Sequence, residues 1–295
     1  MNNYTKGSLA LFVARIFSGL NVNVLGYLLP LWIAPLACVT LRLLFGSAVF
    51  LIVGIYAKPE NIASGDKLKL VALGAFGIFG YMSLYALSLS YTTPVSFAIF
   101  NAMQPLWVVI VSAVIYRESV DYRKLLGLAL GFAGALLCIL SEPSGRAASN
   151  PLLGNMLAIA ASVIYAIYLV FSAKFAGRFA STTILRYTFT SAATVSLFAT
   201  LFFGFSAPMF EDGFKVLPFA LLAFVLVFPT VVTYFLIPIG LKYLKSAVVA
   251  LYGYVTLIVA AVVSFIMGVD KFEPVVLLSL MLIGLSIYLV GASDN

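Results

Sequence analysis

Residues 96–134 read SFAIFNAMQPLWVVIVSAVIYRESVDYRKLLGLALGFAG. An apolar run ends at the charged stretch RESVDYRK (117–124), and a second apolar run begins directly after it. A helix rises 1.5 Å per residue, so a run of roughly 20 residues crosses the hydrocarbon core of a bilayer. This stretch therefore predicts two transmembrane helices joined by a short polar turn.

The same pattern fills the rest of the 295-residue chain, in which 63% of residues are apolar and 9% are charged. Apolar runs long enough to cross a bilayer occupy 7–29, 33–56, 68–90, 93–116, 124–141, 151–173, 181–204, 217–240, 246–268 and 274–292. Because open strand edges cannot face lipid, these runs are expected to be helices. We predict an all-α integral membrane protein with ten transmembrane helices. The first run carries Arg15, Asn21 and Asn23 and has no small-residue cleavage site, so we do not expect a signal peptide.

The positive charges between the runs predict how the chain is oriented. With the N-terminus inside, eleven Lys and Arg residues fall in cytoplasmic segments and three fall outside. The inside set is Lys6, Lys58, Lys67, Lys69, Arg117, Arg123, Lys124, Lys174, Arg178, Lys242 and Lys245, and the outside set is Arg146, Lys215 and Lys271. This bias predicts a multi-pass plasma-membrane protein with both termini in the cytoplasm. The net charge of +7 is dispersed over short connections, so we expect no nucleic-acid partner.

An internal repeat accompanies the ten runs. A shift of the chain by 152 residues pairs Glu118 with Asp270 and Asp121 with Glu273, and a shift of 144 pairs Arg42 with Arg186. We therefore expect two five-helix repeats, 1–145 and 146–295. Five is an odd number of crossings, so the second repeat would be inverted relative to the first. Inverted repeats of this kind place a substrate site at the membrane midplane, between the halves.

A resemblance to a known family rests on these same residues. The segment from Ser96 through Pro105, Glu118, Gly127 and Gly131, together with PLACVTLR at 35–42, resembles an EamA repeat of the drug/metabolite transporter superfamily. The resemblance covers the whole chain as two repeats. It implies a ten-helix carrier of small metabolites, with a central cavity lined by the first, third, fourth, sixth, eighth and ninth helices.

Polar side chains within the runs mark the candidate substrate site, because such groups are costly in lipid unless they face partners or a wet cavity. The candidate substrate-binding residues are Asn101, Gln104, Tyr168, Tyr252, Tyr81, Tyr165, Thr256, Asn21 and Arg15. Asn21 and Asn23 are two residues apart and cannot share a helix face, so one of them is expected to pack against a neighbour. For each candidate, the alternative is a hydrogen bond between helices that stabilises the bundle.

Three arginines lie in or at the edge of the runs, and no run contains a carboxylate. Arg186 lies near the start of its run, so we expect its side chain to reach the cytoplasmic surface. Arg15 and Arg42 lie deeper, and the sequence leaves open whether they contact backbone carbonyls or face the cavity. An arginine that faces the cavity would favour a carboxylate or phosphate on the substrate.

The chain lacks the groups that many other functions require. It has no His, and every Asp and Glu lies in a connection or tail, so we expect neither an intramembrane enzyme nor a metal or cofactor site. Cys38 and Cys138 both lie in apolar runs and are expected to pack in the bundle. Gly127 and Gly131 form a small-xxx-small motif, which is compatible with a homodimer but more often packs helices within one chain.

These features together predict a secondary transporter that exports amino acids or similar small amphipathic metabolites by alternating access. The lipid bilayer and a small-molecule substrate are its expected partners. An uncoupled facilitator or a lipid-intermediate flippase is the nearer alternative, because no run contains an acid to carry protons. A non-transporting assembly partner or sensor is the alternative from a different class.

Overall fold

The structure is a computed structural model that describes residues 2–29, 31–116, 122–141, 149–211, 213–269 and 274–293. The uninterrupted helices are α1 (Asn3–Leu28), α2 (Pro35–Tyr56), α5 (Tyr122–Ser141), α6 (Pro151–Ala176), α7 (Ser181–Phe203) and α10 (Pro274–Ser293). The interrupted helices are α3 (Ser64–Ala72, Leu73–Ile78 and Phe79–Leu89), α4 (Pro94–Asn101 and Gln104–Tyr116), α8 (Val216–Val225, Leu226–Val232 and Thr233–Tyr243) and α9 (Ser246–Leu251 and Gly253–Ile266). A 3-10 turn, Pro208–Phe210, precedes α8.

Seven helices among the described residues are long and apolar enough to cross a membrane: α1, α2, α3, α4, α6, α8 and α9. The described ranges contain no strand, so the all-helical, multi-pass prediction is confirmed. The count of ten crossings stays a prediction, because it also needs α5, α7 and α10. Helix α7 is rich in Ser and Thr, which lowers its hydropathy. The acids Glu118, Asp121, Asp270 and Glu273 of the predicted repeat lie outside the described residues.

Proline and side-chain caps fix several helix starts. Helices α2, α4 and α6 each begin with a proline, whose missing N–H is not needed in the first turn. Before α4, Thr93 Oγ1 accepts a hydrogen bond from the Ser96 N–H at 3.2 Å. Before α6, Asn150 Oδ1 accepts one from the Leu153 N–H, also at 3.2 Å. These local signals end each connection where the apolar run begins.

Helices α3 and α8 each contain a π-helical segment, Leu73–Ile78 in α3 and Leu226–Val232 in α8. In α8 the segment contains Pro229, which has no N–H to donate to the carbonyl of Val225 four residues earlier. The Thr230 hydroxyl donates to that carbonyl instead, at 2.7 Å. In α3 the segment contains Gly74, which lies so close to the Thr188 backbone of α7 that an added Cβ would overlap it.

Helices α4 and α9 are both broken, and their breaks face each other. The α4 break lies between Asn101 and Gln104, and the α9 break lies at Tyr252. The Tyr254 hydroxyl, just after the α9 break, donates to the Ala102 carbonyl in the α4 break at 3.1 Å. A carbonyl freed by the interruption of one helix is therefore satisfied by the other.

Helices α1 and α6 each pack on helices from the other half of the chain. Helix α1 packs against α8 and α9, and α6 packs against α3 and α4. The other large contacts pair α2 with α7, α3 with α7, and α5 with α10. Helix α2 runs antiparallel to α7, because Thr40 contacts Ser196 and Ser47 contacts Thr190.

We call the end of the bundle formed by connections 57–63, 177–180 and 244–245 the basic end. Glu60 accepts hydrogen bonds from the Ala180 N–H there at 3.1 and 3.2 Å, and Arg178 pairs with Asp66 at 2.8 Å. Lys58, Lys242 and Lys245 lie at this end. At the opposite end, the Lys215 ammonium lies 4.7 Å from the Trp32 ring centroid. Among the described residues, most of the basic side chains outside the bundle interior thus lie at one end of the bundle.

Candidate substrate cavity

A small cavity lies inside the bundle where seven helices approach one another. Its volume is about 30 Å³, which is room for two or three water molecules. The residues that line it are Arg15, Ser18, Asn21, Val22, Arg42, Tyr81, Met82, Tyr85, Asn101, Tyr165, Pro229, Thr233, Tyr234, Ile237 and Thr256. We call this space the central cavity. In this conformation its volume is too small to hold a metabolite.

Arg15 of α1 lies beside the two helix breaks, and only 3% of its surface is exposed. Its Nη1 donates to Gln104 Oε1 at 3.5 Å, and its Nη2 donates to the Val249 carbonyl at 3.4 Å. Its guanidinium carbon lies 5.8 Å from the Tyr165 ring centroid. Both hydrogen bonds are longer than the usual 2.9–3.0 Å, and Nε has no partner. The guanidinium is therefore held in place but poorly satisfied.

Arg42 of α2 enters the cavity from a second direction and is as deeply buried as Arg15. Its Nε donates to Thr230 Oγ1 at 2.9 Å, and that hydroxyl donates onward to the Val225 carbonyl. Because the Thr230 hydroxyl donates its proton to the Val225 carbonyl beside Pro229, its oxygen is oriented to accept the hydrogen bond from Arg42. We find no other hydrogen bond of Arg42 within the part of the chain that the structure describes.

The residues that line the cavity include two guanidinium groups and no acid. Asp66, the buried acid among the described residues, lies at the basic end and pairs with Arg178 and Lys69. The guanidinium group of arginine is a permanent cation in proteins, so each of the two carries a positive charge. The central cavity is therefore a positively charged site in a low-dielectric surrounding.

Tyrosines form the aromatic side of the cavity. The Tyr81 ring lies 4.4 Å from that of Tyr165 and 5.7 Å from that of Tyr85, measured between ring centroids. The Tyr85 hydroxyl accepts a hydrogen bond from Asn21 Nδ2 at 2.9 Å, which leaves its own proton free to donate. The site therefore combines flat apolar surface with hydroxyl and amide groups, as small-molecule sites commonly do.

Six of the nine candidate residues predicted from the sequence line the central cavity: Arg15, Asn21, Tyr81, Asn101, Tyr165 and Thr256. The other three do not line it in this conformation. Gln104 lies in the interface of the two breaks, where its Nε2 donates to Asn101 Oδ1 at 2.7 Å. Tyr168 packs instead against Gly77, at whose position a Cβ would lie 3.1 Å from the Tyr168 ring. Tyr252 occupies the α9 break itself.

Several lining residues lie outside the nine candidates, and the most important is Arg42, for which the sequence left open whether it faces the cavity. The resemblance implied a cavity without the second helix, but Arg42 adds α2 to its lining. Ser18 lies three residues from both Arg15 and Asn21, so helical spacing alone would have found it. Thr233 and Tyr234 follow the Pro229 interruption of α8.

Other buried polar groups hold helices together. Asn23 donates to the Ala260 carbonyl of α9 at 2.9 Å, whereas Asn21 faces the cavity. Ser88 donates to the Gly154 carbonyl at 2.7 Å, and Ser162 donates to the Phe100 carbonyl at 3.2 Å. Within the described ranges, no group of three His, Cys, Asp or Glu side chains is placed to hold a metal ion.

Comparison with known proteins identifies the family of the chain. The chain is 25% identical over 256 residues to the uncharacterized transporter YyaM of Bacillus subtilis (strain 168), which covers 86% of this chain and 83% of YyaM. The uncharacterized transporter YetK of the same organism is 24% identical over 240 residues, covering 79% of this chain and 71% of YetK. A chain of known crystal structure, 17% identical, has the same fold with a TM-score of 0.70 and 99% of both chains covered.

The sequence profile of the EamA-like transporter family matches the chain twice, over residues 5–140 and again over residues 152–292. The two matches together cover both halves of the bundle. The chain therefore belongs to the EamA-like transporter family, within the drug/metabolite transporter superfamily.

Proposed function

We propose that this protein is a secondary transporter that exports amino acids or similar small amphipathic metabolites across the plasma membrane. The observation that carries the proposal is the central cavity, where polar anchors such as Asn21 and Asn101 lie beside a tyrosine surface. Such a combination suits a solute with an apolar body and a few polar groups. Family membership and the relatives described as transporters support the same conclusion.

We propose alternating access between two inverted five-helix halves, 1–145 and 146–295, with ten membrane crossings. Three observations support this arrangement. The π-helical segments lie in α3 and α8, and the helix breaks lie in α4 and α9. Helix α1 packs against helices of the second half, and α6 packs against helices of the first half. Each pair occupies the same position in its half. Interrupted helices around a central site are the usual design of such carriers. The small cavity must then widen during the cycle to admit solute.

A second candidate is an uncoupled facilitator. It is favoured by the lining of the central cavity, which contains no carboxylate and no histidine to carry a proton. Solute flux in proteoliposomes, measured with and without an imposed proton gradient, distinguishes a coupled transporter from an uncoupled facilitator. Solute flux that follows only the solute gradient would select the facilitator.

Metabolite efflux from overexpressing cells, compared with cells that carry an Asn101→Leu variant, tests transport. The substitution removes a polar group from the cavity and keeps its bulk, so efflux should fall while protein abundance in the membrane holds. Thr194→Val is the matched control, because Thr194 is exposed on α7 and lies outside the cavity. Absence of flux for every solute, in cells and in liposomes, would favour a non-transporting membrane protein.

Topology reporters test the orientation. The gathering of basic side chains at the basic end supports a cytoplasmic location for that end. Reporters inserted in the 57–63 connection and fused after Asn295 should both report from the cytoplasm. A signal from the opposite side at either position would contradict the proposed orientation, and a split result would contradict the inverted halves.

A further inference from the structure

We propose that the central cavity recognises its solute through an anionic oxygen group, a carboxylate or a phosphate, which binds between the guanidinium groups of Arg15 and Arg42. This inference rests on the transport function proposed above and names the class of solute. Its consequence is that, within the class of small amphipathic metabolites proposed above, acids are preferred over neutral analogues and also over amino acids of the same size.

The first argument is charge. Arg15 and Arg42 are both 97% buried, since 3% of each remains exposed, and both keep their charge. No acidic side chain lines the cavity that they share. An uncompensated charge within a membrane protein is expensive, and two in one cavity repel each other as well. An anionic solute supplies the missing countercharge.

The second argument is the number of free donors. A guanidinium group has five N–H donors. Arg15 uses two of them in long hydrogen bonds of 3.4 and 3.5 Å, the Tyr165 hydroxyl is a further polar neighbour, and its buried Nε has no partner. Across the described residues, Arg42 donates only from Nε, to Thr230. Carboxylate and phosphate oxygens are the acceptors that match a guanidinium group in geometry and charge.

The third argument separates acids from amino acids. The remaining polar groups that line the cavity are neutral hydroxyls and amides, among them Tyr85, Asn21 and Thr256. An ammonium group would add a third positive charge to a cavity that already holds two. The tyrosine surface accommodates the apolar body of either kind of solute, so it does not change this preference.

Binding of matched probes to the purified wild-type protein, measured by isothermal titration, tests the proposal without any substitution. The probes are 3-phenylpropanoate, phenylalanine and 3-phenylpropanamide, which share one body, and phenyl phosphate. We expect 3-phenylpropanoate or phenyl phosphate to bind at least about tenfold more tightly than the amide, with phenylalanine weaker than the acid. Whichever of 3-phenylpropanoate and phenyl phosphate binds more tightly shows whether the site prefers a carboxylate or a phosphate. Equal affinity for acid and amide would overturn the proposal.

Charge-removing variants locate the site. Arg15→Gln and Arg42→Gln should each weaken binding of the better anion by about tenfold and leave the amide unchanged. Arg186→Gln is the matched control, because Arg186 is half-buried on α7 and does not line the central cavity. Anion binding that survives both cavity substitutions, or falls equally in the control, would refute this site. If one variant does not fold, the other variant and the wild-type probe series decide.

Flux of the same probes in proteoliposomes separates this inference from the transport proposal. Anion binding without flux would refute transport and keep the anion site. Flux of the amide as fast as that of the acid would refute anion recognition and keep transport.

Discussion

Thr230→Val should loosen the attachment of α2 to α8. The Thr230 hydroxyl accepts a hydrogen bond from Arg42 Nε at 2.9 Å and donates one to the Val225 carbonyl at 2.7 Å. Valine has nearly the same shape and makes neither bond. Because Pro229 has no N–H, the carbonyl cannot recover its ordinary helical donor. The substitution therefore leaves the buried Arg42 Nε without its acceptor and leaves the Val225 carbonyl with only its π-helical donor, the Thr230 N–H.

The two lost bonds set the size of the effect. Hydrogen bonds between membrane helices average about 0.6 kcal/mol and reach about 1.7 kcal/mol. Hydrogen bonds to a charged group lie at the upper end of such ranges, so two lost bonds destabilise the protein by about 1–3 kcal/mol. At about 2–4 °C per kcal/mol for a chain of this order of size, the melting temperature should fall by about 2–12 °C.

Thermal unfolding of the purified protein in detergent measures this change, with Thr194→Val as the control. Thr194 is exposed and bonds only the Thr190 carbonyl of its own helix, so its replacement should shift the melting temperature little. A double-mutant cycle with Arg42→Gln then isolates the pair, and we expect a coupling of about 1 kcal/mol or more. Additive effects of Arg42→Gln and Thr230→Val would refute the relay from Arg42 to the Val225 carbonyl.

Two further substitutions test the helix interruptions. Tyr254→Phe removes the hydroxyl that donates to the Ala102 carbonyl, so the two helix breaks lose their direct hydrogen bond. We expect slower solute flux at unchanged protein abundance in the membrane. Unchanged flux would show that this hydrogen bond plays no part in the transport cycle. Gly74→Ala should lower the melting temperature by the equivalent of about 1–3 kcal/mol, because its Cβ meets the Thr188 backbone. Gly65→Ala is its control, with nothing within 4 Å, and equal melting temperatures for the two variants would contradict the close approach of α3 to α7.

Hydropathy located the helices well but missed where some begin. The third run was predicted to begin at residue 68, whereas α3 begins at Ser64 and carries Asp66, Lys67 and Lys69 in its first turns. Hydropathy detects the part of a helix that lies in hydrocarbon. A helix that continues into the polar interface keeps its backbone bonds while its side chains become charged, so the apolar signal stops before the helix does.

The breaks in helices α4 and α9 are the reason that residue spacing could not predict every side chain of the site. Asn101 and Gln104 are three residues apart and would share one face of a continuous helix. The helix breaks between them, so Asn101 lines the cavity while Gln104 lies toward the α9 break, with its Oε1 3.8 Å from the position of a Cβ on Gly253. Pro105 marks the α4 break in the sequence, but no proline marks the corresponding break in α9. Residue spacing alone therefore could not separate the two roles.

The two arginines connect the solute site to the contact between the two halves of the bundle. Both lie in the first half, and both bond to the second half, Arg15 at the Val249 carbonyl and Arg42 at Thr230. An anion that takes the Arg15 donors competes with Val249 and Gln104, whose bonds to Arg15 are already long. A ligand shifts a conformational equilibrium only by its difference in affinity for the two states. We infer that an anionic solute is bound most tightly in the state where Arg15 has released the Val249 carbonyl, so that binding weakens one attachment between the halves that must move.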